Sequence, residues 1–126
     1  MAGPLKYEAA IALWKITKES NPALAVLVEG LKSKTPHTRL SIVGILKKLH
    51  GKARDEVSII AEMVEKDESP SIRARAVEFL AAFANEVPEA KSALRRALTN
   101  DKYVVRAAAT NALRESSGSS SSLNRK

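Results

Sequence analysis

The sequence contains no cysteine and few aromatic residues. The absence of cysteine excludes disulfides, thiolate catalysis and sulfur-ligated zinc, and it is typical of a protein from a reducing compartment. We therefore expect a cytoplasmic protein. Hydrophobic residues make up 44% of the chain but aromatic residues only 4%. Alanine fills many apolar positions, which predicts close packing between small side chains.

Long apolar runs are also absent. No segment approaches the ~20 apolar residues that a membrane span requires. The first apolar stretch is interrupted by Lys6, Glu8 and Lys15, which does not fit a signal peptide. The sequence therefore predicts a soluble protein, although a piece of a longer chain would look the same.

Signals of catalysis are scarce. The five glycines are scattered singly, so no glycine-rich phosphate loop is predicted. His37 and His50 are the only histidines and lack further ligands at metal-binding spacing. The serines have no neighbouring base that could activate them. We expect a non-enzyme without catalytic residues, metal or cofactor.

The formal net charge of +7 raises the question of nucleic-acid binding. The positive charge is spread thinly, with local clusters at Lys47-Lys48 and at Arg95-Arg96. Acidic residues interleave with both clusters. This pattern favours a solvated surface, and binding of a nucleic-acid backbone stays open as the alternative.

The main feature of the sequence is an internal repeat. Basic residues mark the same position in successive copies, at Lys6, Arg39, Arg73 and Arg106, spaced 33, 34 and 33 residues apart. Such a period is typical of stacked helical hairpins. The third copy, whose start is Ser-Pro-Ser-Ile-Arg, is the clearest.

Each copy begins with an amphipathic outer helix. In the third copy the apolar stripe has helical spacing. It consists of Ile72, Ala76, Phe79, Leu80 and Phe83. The equivalent stripe in the first copy would be Leu5, Ala9, Ala12, Leu13 and Ile16, and in the second Thr38, Ile42, Ile45, Leu46 and Leu49. Since one helix cannot hide its stripe alone, we expect neighbouring pairs to stack around a common core.

A second, inner helix follows in each full copy. Apolar residues at helical spacing predict inner helices over about 22–32, 52–66 and 90–99, the last with Ala90, Leu94, Ala97 and Leu98 as its stripe. A final outer helix runs from Tyr103 to about Glu115. The predicted domain covers 1–115, with units of about 4–33, 35–66, 69–100 and a half unit 101–115. Residues 116–126 are predicted to form a flexible serine-rich tail.

These strings resemble HEAT repeats of the short bacterial type. The resemblance is carried by Ser-Pro-Ser-Ile-Arg-Ala-Arg-Ala-Val-Glu-Phe-Leu at 69–80 and by Asp-Lys-Tyr-Val-Val-Arg-Ala-Ala-Ala-Thr-Asn-Ala-Leu at 101–113. Lys6 departs from the family arginine, and Ser41 and Gly44 interrupt the second unit. Tetratricopeptide and ankyrin repeats share the period, but their signature strings are missing.

The resemblance implies an all-α fold, a right-handed α-solenoid (armadillo-like superhelix) of about three and a half helical hairpins. It implies a non-catalytic scaffold that binds a protein partner, and this chain could be a fragment of a longer array. Two alternatives stay open. One is a basic solenoid that binds nucleic-acid backbone, and the other is a subunit of a phycobilin lyase-type enzyme, for which no cluster of chemical residues is found.

The repeating arginines Arg39, Arg73 and Arg106 allow two interpretations. They could bridge adjacent repeats as a ladder, or they could present guanidinium groups to a ligand. The resemblance favours the ladder, with Asp67, Asn85 and Asp101 as the acceptors in the loops. Bidentate pairing would explain arginine rather than lysine at these positions.

Two sets of residues are candidates for partner binding. The first set is predicted to line the solvent face of the inner helices: Glu62, Glu65, Lys66, Lys91 and Arg95. The second set is a predicted apolar patch at the N-terminal edge, Tyr7, Ile11 and Trp14, which could contact a preceding repeat or a second copy of the chain. The alternatives are a solvated charged face for the first set, and packing onto the inner helix of its own unit for the second.

Overall fold

The computed structural model describes residues 7, 9–13 and 21–124, and every regular element among them is helical. The helical residues 7 and 9–13 are called α1. The elements that follow are α2 (Asn21–Gly30), α3 (Pro36–Leu49), a 3-10 helix (His50–Glu56), α4 (Val57–Lys66), α5 (Pro70–Ala81), α6 (Pro88–Ala97) and α7 (Tyr103–Asn124). The prediction of an all-α fold is confirmed.

The helices stack in two layers. The outer helices pack in the order α3, α5, α7, and the inner helix α4 packs on α6. Contacts between α4 and α5, and between α6 and α7, join the layers. This repeated stacking of helical hairpins is a solenoid, as the sequence predicts. Each hairpin buries its apolar stripes against its neighbours, which is how a short repeat becomes stable.

The predicted stripe of α5 forms the centre of the core. Ile72, Ala76, Phe79, Leu80 and Phe83 are each at most 1% exposed. The two phenylalanine rings are in contact, with their centroids 5.0 Å apart. Burial of the isoleucine, the leucine and the two phenylalanines contributes about 1.5–3 kcal/mol each. The core therefore lies where the sequence periodicity places it.

The start of α5 follows from its local sequence. The Ser69 side chain accepts a hydrogen bond from the Ile72 amide at 3.3 Å, and Pro70 occupies the first turn. The Asp67 side chain in turn accepts a hydrogen bond from the Ser69 amide at 2.9 Å. The predicted serine cap is confirmed, and it satisfies an amide that has no acceptor within the helix.

Three predicted helix boundaries are wrong. The second inner helix begins at Val57, not near Lys52, because a 3-10 connector precedes it. Ala53, which is fully buried, anchors that connector in the core. The third inner helix begins at Pro88, since proline fits the first turn of a helix.

The third wrong boundary is the end of α7. The backbone continues as a helix to Asn124, past the predicted end near Glu115. Adding residues to an existing helix is much easier than starting one, so a serine-rich composition does not by itself stop it. Whether 116–126 forms a separate tail stays a prediction.

The orientation of α1 also differs from the prediction. The residues Ala9, Ala12 and Leu13 of its predicted stripe are exposed, whereas Ala10 is buried. The first helix has two apolar faces in the sequence. The face with the larger side chains lies inward, because its burial removes more apolar surface from water.

This orientation corrects the predicted N-terminal patch. Tyr7 and Ile11 are partly buried and pack against the core. The Tyr7 ring lies beside Gly30 of α2, so this face folds onto the inner helix of its own unit. Trp14 lies outside the described residues. A partner-binding role for the three residues stays an untested prediction.

The arginine ladder is confirmed by the geometry. Arg39 donates from Nε and Nη2 to the Asp67 carboxylate at 2.9 and 3.1 Å, and from Nη1 to the Ser33 carbonyl at 2.7 Å. Its side chain is 11% exposed, and that of Asp67 is 5% exposed. One guanidinium thus joins the loop before its own helix to the loop before the next outer helix.

The second rung repeats the arrangement with a different acceptor set. Arg73 donates to the Asp67 carbonyl at 2.6 Å, to Asn100 Oδ1 at 3.3 Å and to Asp101 Oδ1 at 3.1 Å. Asn100, which was not predicted from the sequence, is one of these acceptors, and the role predicted for Asn85 stays a prediction. Arg106 keeps the contact with its own loop, at 2.7 Å to the Asn100 carbonyl.

The ladder predicts unequal costs for removing its arginines. Arg39→Ala leaves the buried Asp67 carboxylate without its cation and should lower the free energy of unfolding by about 3 kcal/mol. Arg106→Ala removes a hydrogen bond to a carbonyl and should cost about 1 kcal/mol. Urea unfolding followed by circular dichroism measures both values. Equal losses for the two variants would contradict the ladder.

A glycine pair tests the packing of α2. A Cβ at Gly30 would collide with the Ile42 side chain and approach Tyr7 Cδ1 to 3.0 Å, whereas at Gly44 the nearest atom, on Arg75, is 3.9 Å away. Gly30→Ala should therefore destabilise by about 1–3 kcal/mol. Gly44→Ala, the matched control in a helix, should stabilise by about 0.5–1 kcal/mol because alanine favours the helix.

Thermal or urea unfolding of the two variants provides the comparison. A stabilised Gly30→Ala protein would show that α1 and α3 do not close around α2 in the way described.

Candidate partner-binding groove

A groove runs between the inner helices α4 and α6 on their solvent side. Its volume is about 540 Å³. The groove is lined by Ser58, Ile59, Ala61, Glu62, Glu65, Lys66, Glu89 and Arg96. It follows directly from the fold, because two parallel neighbours in the inner layer leave a furrow between them.

Two hydrogen bonds join the walls of the groove. Ser58 Oγ donates to Glu89 Oε1 at 2.7 Å, and Arg96 Nε donates to Glu65 Oε2 at 2.7 Å. All four side chains belong to residues that are exposed. The bonds fix the register of α4 against α6 but contribute little stability individually, since surface ion pairs are worth about 0–1 kcal/mol.

Three of the predicted binding residues lie together in the groove. Glu62, Glu65 and Lys66 all line it and are exposed. Glu62 and Lys66 form an ion pair at 3.3 Å within α4, with side chains 62% and 72% exposed. Because both partners are open to solvent, this pair can separate and each charge can meet a group on a ligand.

The other two predicted residues do not line the groove. Lys91 and Arg95 lie on α6 and are not among the residues that line the groove. On a helix of about 100° per residue they fall on the edge opposite Glu89 and Arg96. The prediction placed all five charges on one surface, and the structure divides them between two.

Ser58, Glu89 and Arg96 line the groove but were not predicted from the sequence. The signal was present, because Ser58 and Glu89, like Glu65 and Arg96, are 31 residues apart. Complementary groups at nearly one repeat length indicate contacts between successive inner helices. A search for such pairs would have located both walls.

The chemistry of the groove is that of a mixed-charge binding surface. It presents three carboxylates, two cations, a hydroxyl and the half-buried Ile59. Among the described residues no group of three acidic, histidine or cysteine side chains could hold a metal ion. The groove can therefore offer ion pairs and hydrogen bonds to both signs of charge along a polypeptide.

One perturbed carboxyl lies just before α4. Partial burial, and to a lesser extent the neighbouring Asp55 carboxylate, raise the pKa of Glu56 above its ordinary value. Glu56 does not line the groove. Its perturbation therefore reflects the packing of the 3-10 connector.

Comparison with known proteins identifies the family of this chain. Among the described residues no helix is long and apolar enough to cross a membrane. No curated protein and no solved structure matches the chain. A family model described as HEAT repeats matches residues 57–124, which is more than half of the chain and contains α4 to α7. With its stacked hairpins and arginine ladder, this chain belongs to the HEAT-repeat family.

Proposed function

We propose that this protein is a non-catalytic scaffold that binds a protein partner in the groove between α4 and α6. HEAT repeats generally act as protein-interaction scaffolds, and stacked repeats offer extended concave surfaces for this purpose. The observation that supports the proposal here is the mixed-charge groove itself, whose walls are held in register by hydrogen bonds between repeats.

The groove favours a polypeptide segment with both signs of charge. Glu62 and Lys66 are highly exposed and pair only loosely, so a partner can replace their mutual contact without a large cost. Ile59 offers a small apolar contact between these charges. Charges of this kind contribute mainly to specificity and association rate.

The nucleic-acid alternative finds less support. On the outer face, Lys47 and Arg75 both pair with Glu78, at 3.8 and 3.6 Å. The inner groove contains three carboxylates, which would repel phosphates. A salt titration distinguishes the two functions, because phosphate binding weakens steeply between low and moderate salt.

The proposal predicts that Glu62→Lys separates binding from stability. The partner would first be identified with a photoreactive residue at position 62 and then purified. Reversing the charge should weaken its affinity by about tenfold, while the melting temperature stays within about 2 °C because the side chain is exposed. Isothermal titration calorimetry measures the affinity.

Glu68→Lys supplies the matched control, since Glu68 is exposed and does not line the groove. Its effect on affinity should stay within about twofold. Equal effects of the two reversals, or cross-links that form as readily from position 78 on the outer face, would contradict the groove as the binding site.

A further inference from the structure

The helix α6 and the start of α7 expose a set of residues at the positions by which the preceding unit contacts the next one. We define the C-terminal edge as Lys91, Arg95, Leu98 and Arg106. We propose that it is a second docking surface, distinct from the groove, and that its occupant is an acidic helical segment of a partner protein.

The position of the edge follows from the repeat. Each of its residues lies 33 positions after a residue of the preceding unit, and those are Ser58, Glu62, Glu65 and Arg73. Ser58 and Glu65 bond to α6, and Arg73 bonds to the loop before α7. The preceding unit thus uses three of these four positions to contact its successor.

Lys91, Arg95 and Leu98 lie at i, i+4 and i+7, so they share one face of α6 and its C-terminal cap. Among the described residues no inner helix follows α7.

The charge of the edge differs from that of the equivalent positions in the preceding unit. The four earlier positions hold two glutamates and one arginine, whereas the C-terminal edge holds three cations and no carboxylate. A surface of one sign attracts the opposite sign and repels its own, which favours an acidic occupant.

Arg106 specifies the occupant further. Arg39 and Arg73 each have a carboxylate from the following loop, Asp67 and Asp101 respectively. Within the described residues the Arg106 side chain donates a hydrogen bond only to the Asn100 carbonyl, and its guanidinium lies 6.0 Å over the Tyr103 ring. The Arg106 guanidinium therefore has N–H donors left for a carboxylate supplied by a partner.

An apolar contact accompanies the charges. Leu98 is 39% exposed, although the sequence predicts it as part of the apolar stripe of its helix. Ala93 takes the buried place instead, with 1% of its surface exposed. A leucine on the same helical face as Lys91 and Arg95 suits the apolar face of an amphipathic helix.

Fluorescence anisotropy tests this proposal with a defined probe. The probe is a labelled alanine-rich peptide of about 20 residues with glutamate along one face, long enough to form a helix. It is compared with the same peptide carrying glutamine and with a DNA duplex of about 20 base pairs, all at about 50 mM salt, where surface charges are weakly screened.

Variants of the full chain locate the binding. Lys91→Gln/Arg95→Gln should weaken binding of the acidic peptide at least about tenfold. The matched control Lys32→Gln/Lys34→Gln removes the same charge from exposed positions elsewhere and should change it by less than about twofold. Arg106→Lys keeps the charge but loses the fork, and should weaken binding about threefold.

Several results would overturn the proposal. One is that the acidic peptide does not bind even at about 1 mM protein, where weak specific binding would still be detected. Another is that the glutamine peptide binds as tightly as the acidic peptide. If the Lys91→Gln/Arg95→Gln variant lost binding of the DNA duplex but kept binding of the peptide, the edge would be a phosphate-binding surface. Concentration-dependent dimers in sedimentation that the edge variant abolishes would identify a second copy of the chain as the occupant.

Discussion

The pairing of Arg39 with Asp67 is the contact on which the stacking of the second and third repeats depends. The guanidinium binds the carbonyl of its own loop and the carboxylate of the next loop. The same carboxylate accepts the Ser69 amide at the start of α5. A single buried anion therefore fixes both where the next outer helix begins and how it is placed against the previous one.

The proposed binding groove follows from this register. Once α3 and α5 are aligned in the outer layer, α4 and α6 are aligned in the inner layer, and Ser58 and Arg96 reach their acceptors across the groove. The arginines of the outer layer thus set the register, and the solvent face of the inner layer carries the groove residues. This separation allows groove residues such as Glu62 to vary in charge without disturbing the core.

The sequence predicted the parts of the fold that repeat. The stripe around Phe79 and the arginine ladder were predictable because several copies agree on the same positions. The orientation of α1 was not, since Tyr7 and Leu13 lie on two apolar faces of one helix and periodicity does not rank them. The position of Arg96 in the groove was missed because single-helix patterns do not show which residues meet across repeats.

A double-mutant cycle on Arg39 and Asp67 tests the central claim most directly. Urea unfolding of the wild type, Arg39→Ala, Asp67→Ala and the double variant gives the coupling energy between the two side chains. The account predicts a coupling of about 2 kcal/mol, because each single change leaves a buried charge unpaired and the double change does not. Effects that add within about 0.5 kcal/mol would contradict it, since independent sites behave in that way.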